Sequence, residues 1–98
     1  MNALKHVDHH MDNLISDLQK LIQQPSVSAK NEGIEECAKL VKSLLKTSGL
    51  KSEILRLKKG VAPIVFAEIK SKSNPNKTLM FYNHYDVQPA EPFDLWDD

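Results

Sequence analysis

The chain reads as an α/β protein that opens with two amphipathic helices and runs on into strands of a mixed sheet. Three observations predict this. Apolar residues recur at three- and four-residue intervals through Met11, Leu14, Ile15, Leu18, Leu21 and Ile22, and again through Ile34, Cys37, Ala38, Val41, Leu44 and Leu45, which is helical spacing. Further on, short apolar runs bounded by turn residues replace that spacing and read as strands. The order helix, helix, strand, strand, strand contains no internal repeat. It suits the opening part of a larger catalytic α/β domain whose crossover helices lie further on.

Each element has a local reason. Asp8 stands where it can cap the first helix, and Pro25 makes continuation of that helix unfavourable. Pro25-Ser26-Val27-Ser28 reads as a connector in which Ser26 and Ser28 serve as turn or capping residues. The second helix is expected over residues 32–47, with Gly49 placed for a left-handed carboxyl-terminal cap. A single apolar stripe on each helix calls for packing against a larger surface, a sheet. Residues 53–57 form a short, mixed strand candidate. Residues 61–69 carry Ile64, Val65 and Phe66 in succession, which predicts burial on both faces. Residues 70–77, rich in serine and asparagine, form a loop. Residues 78–82 are the last strand and deliver His84.

Composition bounds the function. A length of 98 residues with 41% hydrophobic content allows one small domain with a modest core. Thirteen basic side chains balance thirteen acidic ones, and no basic block exceeds Lys58-Lys59; nucleic acid and anionic membrane are therefore poor partners. No apolar run approaches the ~18 residues of a membrane span. The first 13 residues are polar and histidine-rich, unlike a secretory signal. One cysteine, Cys37, excludes an internal disulfide and fits a reducing compartment. A cytoplasmic setting is the expectation.

The chemistry concentrates in Phe81-Tyr82-Asn83-His84-Tyr85-Asp86-Val87-Gln88-Pro89. In extended backbone, residues two apart point to the same side, so His84 and Asp86 aim an imidazole and a carboxylate into one space. That arrangement suits a metal-ligating histidine with a carboxylate that orients it. A neutral imidazole suits zinc, cobalt or manganese, and the carboxyl end of a strand is where α/β sheets hold ligands. Spacing alone leaves open a purely structural histidine paired with a nearby acid. Other features read more plainly. His6, His9 and His10 form either a cluster that binds metal adventitiously or a solvated helix start, in which adjacent histidines diverge. Cys37 is a small buried hydrophobe. Trp96 packs either near the site entrance or over the sheet edge, and Asp94, Asp97 and Asp98 make a solvated acidic tail or, in a truncated site, capture a cation.

His84-Tyr85-Asp86-Val87-Gln88-Pro89, followed by Trp96, resembles the first metal-binding motif of the M20 family of metallopeptidases, and most nearly its dipeptidase branch with the carnosinase-like enzymes. Leu21-Ile22 leading into Pro25-Ser26-Val27-Ser28 resembles the family's opening helix and the segment after it. Residues 32–49 resemble its second helix and residues 61–69 its early strand. The resemblance runs over residues 14–96. It implies that His84 binds one of two bridged zinc ions, with cobalt or manganese as substitutes. It implies that Asp86 is the neighbouring catalytic-site acid that positions a ligand and tunes the site. Asn83 departs from the glycine many relatives have there.

The resemblance further implies a hydrolase of dipeptides or small N-acyl amino acids, with residues 1–98 as the amino-terminal part of its catalytic domain. The bridging aspartate, the glutamate base, the remaining ligands and a smaller dimerisation domain would lie past Asp98. A homodimer and an inactive isolated fragment are the matching expectations. The alternative is a small non-catalytic interaction module in which His84 is structural.

Overall fold

Two helices meet at His10, where the backbone leaves helical geometry. A computed structural model describes residues 2–97. Helix α1 spans Ala3–His9 and helix α2 spans Met11–Gln23. The helical region therefore begins earlier than the periodicity predicts, and Asp8 lies inside α1. Asn2 is the cap: its Oδ1 accepts from the Lys5 N–H at 2.9 Å, satisfying one of the donors a helix start leaves open. The α2 helix ends at Gln23, with Gln24 as its cap before Pro25, as predicted.

The connector is tighter than its sequence suggests. Val27 and Glu32 exchange backbone hydrogen bonds at 2.8 and 3.1 Å, closing a loop that contains a 3-10 turn over Ser28–Lys30 and a left-handed Asn31. Glu32 is thereby spent on this bridge, and helix α3 runs Ile34–Thr47 instead of starting at residue 32. Gly33 precedes it at φ 71°. A Cβ there would lie 2.0 Å from the Pro25 carbonyl oxygen, so only glycine fits. At the other end Gly49 takes φ 88° as anticipated. Its N–H donates to Lys46 O at 3.0 Å and the Leu50 N–H to Leu45 O at 2.9 Å. Those two bonds are the Schellman arrangement.

Strands β1 (Ser52–Leu55) and β2 (Ile64–Ala67) pair antiparallel, with Ser52 opposite Ala67 and Leu55 opposite Ile64. Helix α3 covers this ribbon and buries Ile34, Cys37 and Ala38. Double-sided burial of residues 64–66 does not occur. Val65 and Ala67 are half-buried while Ile64 and Phe66 remain exposed, the alternation of a sheet covered on one face. Helix α2 rests on α3, not on the sheet, and its stripe stays largely open, from Met11 and Leu14 at 42% to Ile22 at 73% exposed.

Residues 70–77 form the expected loop. The strand expected over residues 78–82 is absent. Leu79, Met80, Phe81 and Tyr82 are each about four-fifths exposed, and the two-stranded ribbon does not extend to them. A strand exists only where a neighbour takes up its N–H and C=O groups, and here none does. At the coarse level the fold is mixed α/β: three helices and a two-stranded antiparallel sheet among the described residues.

Candidate functional site

His84 and Asp86 do converge, although no strand delivers them. His84 Nδ1 lies 3.3 Å from Asp86 Oδ1. With its proton on Nδ1 the ring donates to the carboxylate, leaving the Nε2 lone pair outward on a side chain that is 73% exposed. The edge of the ring also meets Tyr82, with centroids 5.6 Å apart.

What fixes the pair is the connector 58 residues upstream. Ser28 Oγ donates to Asp86 Oδ2 at 2.7 Å, a short charge-assisted bond. The Val87 N–H donates to Ser26 O at 2.8 Å, and Val27 and Val87 form an isolated parallel bridge. Between them Tyr85 turns the other way. Its hydroxyl donates to Pro63 O, and its own carbonyl oxygen lies 3.7 Å from the Cys37 thiol. The alternation of residues 84–87 thus puts His84 and Asp86 on the open side and Tyr85 on the core side. Lys30 pairs with Glu91 at 2.6 Å a little further along.

The electrostatics follow from these contacts. The Ser28 hydroxyl, aided by the His84 ring, holds the Asp86 carboxyl below its ordinary value against a smaller opposing effect of burial. Burial raises the Tyr85 phenol, and the Cys37 thiol, Glu35 and Asp86 push it the same way. Asp86 is therefore a fixed carboxylate at neutral pH, and Tyr85 is a neutral packing and hydrogen-bonding group.

Ser28, a turn or capping residue by its local sequence, is the site residue that local pattern does not disclose. Only its place in the Pro25-Ser26-Val27-Ser28 segment marked it, and nothing local ties that segment to residue 86. Ser26 is buried at 3% exposure, and its hydroxyl has no partner. Cys37 is buried, as expected. Trp96 covers neither the site nor a sheet edge: it is exposed and its indole N–H donates to Ala90 O at 2.6 Å. Asp98 of the predicted acidic tail lies outside the described residues.

The donor set fits one metal ligand and not a whole centre. A catalytic zinc site takes three protein ligands, and no cluster of three or more histidine, cysteine, aspartate or glutamate side chains able to hold a metal ion forms among the described residues. A cavity of about 440 Å³ lies elsewhere, between the start of α3 and the loop before β2. Its Arg56 is already engaged by Glu35 through two bonds at 2.5 and 2.8 Å. Among the described residues no helix is long and apolar enough to cross a membrane. No family model matches the chain, and neither a curated protein nor a solved structure does.

Proposed function

We propose that this chain contributes the first metal-binding segment of an M20-like metal-dependent hydrolase, with a dipeptide or another small N-acyl amino acid as substrate. The observation that carries the reading is the Ser28–Asp86–His84 series, which leaves one imidazole nitrogen outward and orients the ring from behind. A histidine that ligates a metal commonly has its other nitrogen held by a carboxylate in this way.

The roles follow from position. His84 offers Nε2 as a ligand, Asp86 fixes the tautomer and raises the basicity of the ring, and Ser28 keeps Asp86 in place. A zinc ion held there by His84 would supply Lewis acidity toward a scissile carbonyl. No further ligands complete such a centre among the described residues. The exposed run Leu79–Tyr82 and the open stripe of α2 are surfaces that the rest of such a domain would cover. A non-catalytic module remains the second reading, favoured by the solitary ligand.

The coding sequence past Asp98 discriminates between them first. A continuation with an aspartate after a glycine-rich turn and then paired glutamates supports the hydrolase; a stop codon supports the module. In a polypeptide that carries those further ligands, His84→Ala is expected to remove most dipeptide hydrolysis and lower the zinc content, with the circular dichroism spectrum unchanged. Asp86→Ala is expected to cost about 10–100-fold in metal affinity or turnover. Unchanged zinc content and turnover in the His84 variant overturn the assignment.

A further inference from the structure

The amino-terminal histidines divide by geometry. His9 and His10 are neighbours and diverge, as the sequence implies, but His6 and His10 are four apart and meet. Their ring centroids are 4.4 Å apart with the planes inclined at 36°. Both side chains belong to exposed residues. The His10 N–H still donates to the His6 carbonyl oxygen at 3.1 Å, so one turn of helix fixes the spacing although α1 ends at His9.

We infer that His6 and His10 form a bidentate site for a late first-row divalent cation, separate from His84. With metal–nitrogen bonds of about 2.0–2.1 Å, two imidazoles bound cis to one ion have centroids roughly 4.5–5 Å apart. The observed 4.4 Å is close to that separation. Two histidines at i and i+4 on one helical face are also the ligand pair that zinc metalloproteases use. The cost of ordering the two side chains is reduced because the helix already holds them side by side. Imidazole donors select copper, nickel and zinc over magnesium and calcium, with copper bound most tightly. The remaining coordination positions are open to water. The site lies on a different element from His84 and uses different residues, so it is independent of the hydrolase reading.

The test is titration of the whole chain with Ni²⁺ by calorimetry at a pH where imidazole is neutral, repeated for three single variants. His6→Ala and His10→Ala should each weaken the tightest binding by about tenfold or more, because each leaves a single donor. His9→Ala should leave that binding within about twofold, and Mg²⁺ should give no heat at this site. Helicity should rise on adding Ni²⁺ to the unsubstituted chain and not to His6→Ala, because the ion bridges one turn; this readout also shows whether a variant has lost α1. The proposal is overturned if His6→Ala and His10→Ala bind Ni²⁺ as the parent does, or if His9→Ala weakens binding as much as they do.

Discussion

Two parts of this chain have similar apolar content and opposite fates. Between Ile34 and Ala67, helix α3 closes over the β1–β2 ribbon, and Ile34, Cys37 and Ala38 are 6, 2 and 0% exposed. Between Leu79 and Trp96, Leu79, Met80, Phe81, Tyr82 and Leu95 stay about 80% exposed. The difference lies in hydrogen-bonding partners, not hydrophobicity. The earlier region pairs its strands and caps its helix within itself, whereas residues 78–82 have no neighbouring strand. The open surface is large: 9003 Å² in total, against about 5,700 Å² for a compact monomer of 11.1 kDa. Residues 84–87 are the exception within the later region, because the connector at 26–28 and Cys37 hold them. The candidate site thus sits where the poorly packed region is anchored to the well-packed one.

The comparison breaks most readily at that anchor. Gly33→Ala places a Cβ 2.0 Å from a backbone oxygen at a positive φ of 71°, so the connector must move or α3 must shift. A loss of about 3 kcal/mol is expected, above the strain of a left-handed residue alone, measured as a fall in the urea midpoint. Gly49→Ala is the matched control. Its φ is also positive, at 88°, but nothing lies within 4 Å of the added carbon, so only about 1 kcal/mol of conformational strain is expected. Equal effects at the two glycines would show that the connector does not constrain α3.

How far the sequence disclosed this arrangement depends on range. Helix periodicity located α2 and α3 because i, i+3 and i+4 contacts are local. The Gly49 cap and the Pro25 stop were legible for the same reason. The convergence of His84 and Asp86 was legible too, since it needs only extended backbone. The strand at 78–82 was misread because apolar content marks a strand's inclination to pair, not the presence of a partner. Ser28 escaped because its bond to Asp86 spans 58 residues, and no periodicity reports a contact of that range. The His6–His10 pair is a contact between residues four apart, within the range of the same local rule.

A smaller effect is expected where α3 meets the loop before β2. Arg56 holds the Glu35 carboxyl below the usual glutamate value of 4.5, chiefly through the direct hydrogen bonds. A depressed carboxyl contributes stability above its unfolded-state value and loses it as pH falls through its folded-state value. The thermal midpoint of the parent should therefore exceed that of Arg56→Gln at neutral pH, and the gap should close as the solution is acidified from pH 4.5 downward. Both side chains are about half exposed, so added salt should narrow the gap as well. A gap independent of pH would assign the Arg56 contribution to its packed stem and not to its charge.

The smallest effect on stability is expected in the later region itself, and it sharpens the comparison best. Phe81 is 79% exposed and belongs to no helix or strand. Phe81→Lys should leave the unfolding free energy in urea within about 0.5 kcal/mol of the parent's, as at surface positions that make no buried contact. Association should respond in the opposite sense. An extended apolar segment with unpaired backbone groups is a template for pairing with another chain, and a charge within it opposes that pairing. Light scattering at rising protein concentration should show less self-association for Phe81→Lys than for the parent, at unchanged stability. If the substitution instead lowers the unfolding free energy by about 2 kcal/mol, as at a buried aromatic position, then residues 78–82 are packed in solution. The division between a paired and an unpaired region would then have to be redrawn around a third strand.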